Sequence, residues 1–448
     1  MARTPNLESV STRLQRIAQL AQEDRSRSLV SLSHHIDQDL LREAYGRTRK
    51  DGAPGIDGQT SAQYEEKLEE NLQSLLDRLK SGRYVAPPVR RVYIPKGSDP
   101  TKKRPIGVPT FEDKVLQRAV TMVLEAVYEQ DFLACSYGCR PGRSVHQAIG
   151  DLWKGLMSMG GGWVLEADIQ SYYDTLDHGH LRSFLDQRVR DGVIRRAVDK
   201  WLKAGVMEEG NLRHPTTGTP QGGVISPLLS NIYLHEVLDT WFETAVKPRL
   251  AGAAFLIRYV DDVVLVFQLE SDARRVLEIL PKRFGRYGLS LHPDKTRLVH
   301  FEPPRSASEG RREEPRSFDL LGFTHYWERS RRGHWVVKRK TASNRFTRSL
   351  RRIEQWCRDN RHTSLDWQHA QLQRKLRGHD EFYGITGNSK ALSSLRHWVK
   401  RIWRKWLSRR SRDTKVKWAQ FNLLLKRYPL PKPEDLSSSL RMRSEPVT

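Results

Sequence analysis

The alternation of apolar and polar positions is most telling around a pair of adjacent aspartates, in Phe255-Leu256-Ile257-Arg258-Tyr259-Val260-Asp261-Asp262-Val263-Val264-Leu265-Val266-Phe267. Alternation and β-branched content make the runs on either side strands. They break at Val260-Asp261-Asp262, so both carboxylates stand at a hairpin tip. Residues 162–169 predict a short strand ending on Asp168, and residues 170–178 begin a helix. Leu68, Leu72, Leu75 and Leu76 lie at helical spacing and predict a helix over 64–79, whereas residues 90–94 alternate as a strand. Residues 301–316 are charged and contain proline, and read as a loop. A hairpin turning at Arg331-Arg332-Gly333 is expected over 317–340, followed by helices over 341–425. No internal repeat stands out.

Two like charges at one tip repel unless a cation lies between them. An all-oxygen cluster suits Mg²⁺, which takes carboxylates, waters and substrate phosphates; Mn²⁺ is its substitute. Adjacent aspartates are also common in plain turns, where they accept backbone hydrogen bonds. Here the flanking strands are almost wholly apolar, and a buried carboxylate pair with no cationic partner would be costly. With Asp168 arriving from another strand end, three carboxylates can converge on two metal ions, as nucleotidyl transfer requires.

The order of motifs then resembles the palm of a reverse transcriptase. Pro95-Lys96 and Arg104-Pro105-Ile106-Gly107-Val108-Pro109 look like its fingers, followed by Tyr137-Gly138-Cys139-Arg140-Pro141-Gly142-Arg143-Ser144. The Asp168 strand comes next, then Pro220-Gln221-Gly222-Gly223-Val224-Ile225-Ser226-Pro227-Leu228-Leu229-Ser230-Asn231, the aspartate hairpin, His292-Pro293-Asp294-Lys295-Thr296 and Leu320-Leu321-Gly322-Phe323. Gly55-Ile56-Asp57-Gly58 and the stretch from Arg83-Tyr84 to Pro95-Lys96 resemble the group II intron-encoded reverse transcriptases, or maturases. The chain departs from that pattern at Val260, where alanine is usual, and at Cys139, where an aromatic is common; neither change removes a ligand.

The resemblance implies an α+β right-hand polymerase: fingers and palm, with an antiparallel sheet, a catalytic hairpin and helices, then an α-helical thumb. The expected divisions are a polar arm (1–35), an N-terminal extension with fingers (36–110), a palm with fingers elements (111–316), a primer-grip hairpin (317–340), a thumb or domain X (341–428) and a disordered tail (429–448). By resemblance, Asp168 and Asp261 bridge two Mg²⁺ ions, Asp262 is a weaker ligand, and the Ile169 carbonyl faces a metal. Lys96 and Arg104 would neutralise the triphosphate. Tyr173 would pack under the sugar and exclude a 2′-hydroxyl, one of Tyr172 and Tyr173 being core. Gln221 would line the nucleotide pocket, with Gly222 and Gly223 permitting close backbone approach. Lys295 is a candidate general acid toward pyrophosphate, a phosphate-contacting or helix-capping lysine being the alternative.

Charge supports a polyanionic partner. Lys and Arg number 77 against 53 Asp and Glu, a formal net charge of +24, which attracts phosphate backbones without reading sequence. Residues 390–412 carry a run of Lys and Arg with no acid. A helical wheel places Leu395, Trp398, Val399, Ile402, Trp403, Trp406 and Leu407 on one face, and Arg396, Lys400, Arg401, Arg404 and Lys405 on the other, facing nucleic acid with Arg140 and Arg143. The expected partners are template RNA, a DNA primer, dNTPs and structured intron RNA; the oligomeric state stays open. Three cysteines without zinc spacing read as free thiols, and no apolar run approaches a bilayer span. The N-terminus lacks a signal-peptide pattern, so a soluble, cytoplasmic protein is expected. No Cys- or His-rich endonuclease module is seen after the thumb, so another route to a primer is expected, such as a nascent strand at a replication fork. The main expectation is an intron-borne RNA-directed DNA polymerase that assists splicing. The alternatives are a stand-alone enzyme of the same type in defence or repair, a splicing cofactor with a decayed polymerase, and an RNA-directed RNA polymerase.

Overall fold

The computed structural model describes residues 7–95, 103–208, 210–213, 216–219, 222–304, 317–410 and 415–432. These fall into two compact units: the chain up to Gly155 with Gly162–His300, and Leu156–Gly161 with the chain from Phe301 on.

The first unit opens with α1 (Leu7–Glu23), α2 (Gln38–Arg47), α3 (Ser61–Glu65) and α4 (Leu68–Lys80). The stretch read as a polar arm is therefore a packed helix from Leu7, since Val10, Ile17 and Ala21 are buried along one face. Arg188 anchors the end of α1 and the turn after it: its guanidinium donates to the carbonyls of Ala21, Asp24 and Arg27 and pairs with Asp131. The single helix expected over 64–79 is two helices. A capping box at Thr60 starts α3, and the chain leaves helical geometry at Lys67 before α4 begins.

Next come β1 (Val89–Pro95), β2 (Lys103–Val108), α5 (Phe111–Tyr128), α6 (Val145–Met159), β3 (Gly162–Asp168), α7 (Tyr172–Thr175), α8 (His178–Arg188) and α9 (Gly192–Lys203). The strands β4 (Val206–Glu208) and β5 (Asn211–Arg213) precede α10 (Ser226–Leu234), which runs into a π-helical turn, His235–Asp239. Then β6 (Ala254–Tyr259), β7 (Asp262–Phe267), α11 (Glu270–Gly285) and β8 (Arg297–Phe301) complete the palm. One sheet has the order β2-β1-β4-β5, the other β6-β7-β3-β8. Thr110 caps α5, which is buried on nearly every side and packs against α1 and α2. One apolar core joins α5, α8, α10, α11 and the inner faces of β3 and β7.

The second unit holds a three-stranded sheet of β9 (Phe318–Leu320), β10 (Phe323–Arg329) and β11 (Trp335–Thr341). β10 and β11 form the hairpin expected over 317–340; Gly333, at φ +82, donates to the Ser330 carbonyl in its turn. The helices α12 (Ser343–Asp359), α13 (Leu365–Tyr383), α14 (Ser389–Leu407) and α15 (Trp418–Arg427) share a separate core around Trp403 and Phe421. The start of the tail is tied to this bundle: the Pro429 carbonyl faces His369 Nε2 at 2.8 Å, and Arg396 donates to the Pro431 carbonyl at 2.7 Å. The rest of the tail expected to be disordered lies outside the described residues. No described helix is long and apolar enough to cross a membrane. The whole is α+β, with two sheets and helices in the first unit and a three-stranded sheet and a helical bundle in the second.

Candidate active site

Strand register decides where the carboxylates stand. β3 runs antiparallel to β7 with Asp168 opposite Asp262, and β7 runs antiparallel to β6 with Tyr259 opposite Asp262. Asp168 and Asp262 are therefore cross-strand neighbours, and Asp261 occupies the two-residue turn between β6 and β7. Val260, the other turn residue, has φ +59. Hairpins prefer glycine where such a turn needs a positive φ, and a β-branched residue there is strained. The turn packs on Gly138, where a Cβ would come within 2.5 Å of Val260 Cγ2 and of its backbone N. Only glycine fits under the hairpin tip.

Burial pushes the Asp261 carboxyl up; its own backbone N–H pulls it back, the charge of Asp168 adds to the rise, and Arg104 and Lys295 oppose it. Lys295 is already on the site, with Nζ 3.0 and 3.1 Å from the two Asp168 oxygens. It arrives there by backbone pairing. The His292 N–H donates to the Asp168 carbonyl at 2.7 Å, the Gln170 N–H donates to the Ser290 carbonyl at 2.8 Å, and Ile169 bridges Leu291. Among the described residues, no three His, Cys, Asp or Glu side chains close into a metal cage.

The two tyrosines part company. Tyr172 is core, its hydroxyl donating to the Ser230 carbonyl at 2.8 Å. Tyr173 is only partly buried and lies within electrostatic reach of Asp261, Cys139 and Arg104. Arg104 is exposed on β2, opposite Ile94 on β1. Lys96 and Gln221 lie outside the described residues. Beside Gln221, Gly222 has φ +119, and a Cβ there would sit 2.5 Å from the Gly107 carbonyl oxygen, so the loop rests directly on β2. A cavity of about 250 Å³ opens next to Tyr173, lined also by Arg91, Gly107, Asp174, Thr217 and Thr219.

Two buried supports of the 222–225 loop escape sequence reading. Gln117 Oε1 accepts the Val224 and Ile225 N–H groups at 2.8 and 3.3 Å, clamping the loop that follows Gln221. Gln117 Nε2 in turn donates to Asp113 at 2.8 Å, and Asp113 also accepts from Tyr84 and from Trp201 Nε1. Burial raises the Asp113 carboxyl to about 6 against those donors. Asp113 and Gln117 stand one turn apart, but Glu112, Lys114 and Arg118 flank them on α5, so the sequence does not mark these two as the buried pair.

Residues 94–325 match the reverse transcriptase (RNA-dependent DNA polymerase) family. The chain belongs to the reverse transcriptases. Residues 343–422 match the group II intron maturase-specific domain, so this reverse transcriptase is of the group II intron type. It is 38% identical over 283 residues to protein YkfC of Escherichia coli, covering 55% of this chain and 72% of YkfC. It is 42% identical over 170 residues to the group II intron-encoded protein LtrA of Lactococcus lactis, covering 38% of this chain and 28% of LtrA. Nuclear intron maturase 3, mitochondrial, of Arabidopsis thaliana is 24% identical over 223 residues, covering 43% of this chain and 31% of that protein. The family acts on RNA and DNA and generally uses divalent metal ions.

Several cations expected at nucleic acid are internal in this reverse transcriptase. Arg140 is buried, paired with Glu129 at 2.9 Å and donating to the Leu133 and Ser136 carbonyls. It holds the loop beneath the hairpin. Arg396 is buried too, paired with Asp380 and donating to the Leu392 and Pro431 carbonyls. The wheel misplaced it because it could not show that α13 brings an acid to that side. Arg404 is half-buried, donating to the Val416 carbonyl at 3.0 Å and lying 4.2 Å over Trp418. Arg143 is half-buried over the Tyr137 ring. Lys400, Arg401 and Lys405 are exposed on α14; Arg401 lies over the 45% exposed Trp398, and Lys405 pairs with Glu354. α12 adds exposed Arg345, Arg351, Arg352 and Arg358, which the reading of α14 alone passed over.

Proposed function

We propose that this reverse transcriptase extends a DNA primer on an RNA template with dNTPs by two-metal nucleotidyl transfer, and binds structured intron RNA to assist splicing and mobility. The observation that carries the reading is the register pairing Asp168 with Asp262, with Asp261 at the adjoining tip and Lys295, Arg104 and Tyr173 around it. Asp168, Asp261 and Asp262, with the Ile169 carbonyl, are the oxygens that would hold Mg²⁺, or Mn²⁺ in its place. When bound, such ions supply the Lewis acidity that ionises a primer 3′-hydroxyl and stabilises departing pyrophosphate.

The protein's own groups do the rest. Arg104, with Lys96, holds the triphosphate by charge-assisted hydrogen bonds. Tyr173 fills the space beneath the sugar and rejects a 2′-hydroxyl. Gln117 keeps the loop bearing Gln221 seated on β2, so that Gln221 lines the nucleotide pocket. Lys295 shields Asp168 until substrate arrives and is then placed to hand a proton to pyrophosphate. Lys400 and Arg401, with Trp398 beneath the Arg401 guanidinium, offer cations and one stacking surface to a nucleic-acid backbone, and Lys405 joins them once it leaves Glu354.

The test is divalent-metal-dependent dNTP incorporation on oligo(dT)-primed poly(rA), comparing wild type with Asp261→Ala. Activity lost in the variant supports the reading. Equal activity in both would mean that the chemistry lies elsewhere, and an inactive wild type that binds structured RNA tightly would favour a splicing cofactor.

A further inference from the structure

Arg258 is the fourth residue back from Asp262, inside an apolar strand, and is fully buried together with its partner Asp239. A guanidinium has five N–H donors, and here all five have acceptors. Nε and Nη2 donate to the two Asp239 oxygens at 2.7 and 2.6 Å. Nη2 also donates to Ser136 Oγ at 2.7 Å, and Nη1 donates to Asn231 Oδ1 at 2.8 Å and to the Val260 carbonyl at 3.2 Å. Asn231 passes the connection on, its Nδ2 donating to the Gly138 carbonyl at 2.8 Å. The Arg258 backbone is engaged as well: its N–H donates to the Cys135 carbonyl, and its carbonyl accepts from the Tyr137 N–H.

Three motifs that are far apart in sequence meet on this one side chain. They are the loop 135–144, the start of α10 at 226–231 and the aspartate hairpin. Asp239 reaches it because the chain widens into a π-helical turn at His235–Asp239, a device frequent at functional sites. The charge of Arg258 is spent on Asp239, so what reaches the hairpin is a hydrogen bond to the carbonyl of its strained residue. Strained backbone persists only where its surroundings over-determine it. The bond to Val260, the Gly138 contact beneath it and the fixed Asn231 together do so.

We propose that the buried Arg258–Asp239 pair is the positioning element of the catalytic hairpin. It holds the Val260 carbonyl, and thereby sets the Asp261 carboxylate for metal binding, without touching substrate. The inference rests on the reading of Asp261 as a metal-binding carboxylate. An ion pair buried this deeply is not needed for stability as such, since a well-packed apolar pair of similar volume often replaces one without loss.

The experiment replaces the pair together, Arg258→Met with Asp239→Leu, in the full chain, and removes the bond to Val260 without leaving a lone buried charge. It measures kcat and KM for dTTP on poly(rA)/oligo(dT), primer–template affinity, thermal unfolding, and Mn²⁺ affinity by electron paramagnetic resonance. The expected result is a folded protein with unchanged primer–template affinity and unchanged KM, kcat lower by on the order of 10²-fold, as a misplacement of about 1 Å can cause, and weaker Mn²⁺ binding. A folded variant whose kcat and Mn²⁺ affinity stay within twofold of wild type overturns the proposal. Should the double variant not fold, Arg258→Lys serves: it keeps the charge on Asp239 but cannot reach all the other acceptors, and it must show the same loss of kcat and Mn²⁺ affinity at unchanged KM. Asp261→Ala is run in parallel. If that variant keeps its activity, the reading of the site has failed rather than the positioning role alone.

Discussion

At the scale of single residues, side chains that look alike in sequence take different places in the structure. Tyr172 and Tyr173 are adjacent, yet one is bonded into the core and the other is partly buried within electrostatic reach of Asp261. Tyr173→Ala is expected to raise ribonucleotide incorporation relative to deoxynucleotide on the order of tenfold or more, as opening a space-filled pocket does; competitive single-nucleotide extension would read it, and unchanged discrimination would remove Tyr173 as the gate. The arginines divide in the same way. Arg140 is expected to behave as structure: Arg140→Gln leaves Glu129 unpaired in a partly buried place, and should cost about 3 kcal/mol or more of stability. Denaturant unfolding would measure that, and the salt dependence of RNA binding should not change its slope. Lys400→Ala should do the reverse, leaving stability alone and lowering the slope of log affinity against log salt by about one.

At the scale of elements, pairing and clamping matter more than propensity. The strand carrying Asp168 and the one carrying Asp262 could be read from alternation, but their register could not, and register is what makes the two carboxylates neighbours. The same holds for Lys295, which reaches Asp168 because the segment 290–292 pairs with 168–170. The loop at 222–225 depends on α5 through Gln117. Gln117→Leu would strand two backbone N–H groups that Gln117 now satisfies. The expected outcome is a KM for dNTP several-fold higher with primer–template affinity unchanged, and steady-state kinetics with both ligands varied would show it. A variant with wild-type KM would mean that the loop holds its shape without the clamp.

At the scale of the molecule, buried titratable groups set the response to acid. Burial holds His325 neutral, lowered to about 3, with Arg339 adding to the effect; it lowers His379 to about 4, helped by Arg396, and His235 to about 4. Each histidine binds its proton more readily when unfolded, so folding loses stability as pH falls from 6.5 toward those values, by about 3 to 5 kcal/mol per group. Asp113 has the opposite sign. Its carboxyl is raised to about 6, so the folded state favours the proton, and stability present below 3.8 is lost as pH rises through about 6. Asp113 and His235 both lie in the first unit and partly offset one another, whereas His325 and His379 lie in the second and add. Acidification from pH 6.5 to 4 is therefore expected to loosen the second unit first. Hydrogen exchange across that range should show residues 317–410 losing protection before the palm strands, and simultaneous loss in both units would contradict it.

What could be read from the chain alone was whatever depends on local pattern and motif order. The aspartate hairpin, the Asp168 strand, the helical thumb and the type of enzyme all come from alternation, β-branched content and the sequence of blocks. Tertiary structure decided which charges are available. Arg396 lies on the polar side of a helical wheel, but α13 brings Asp380 against it and it is buried. The polar 1–35 stretch hides a seven- and four-residue apolar spacing that becomes meaningful only once α5 is there to receive it. Arg258 reads as one polar interruption in an apolar strand, because its five acceptors come from three separate segments. A hydrogen bond between distant segments leaves no periodicity in the sequence, so the motifs that carry the aspartates were legible and the framework that holds them in place was not.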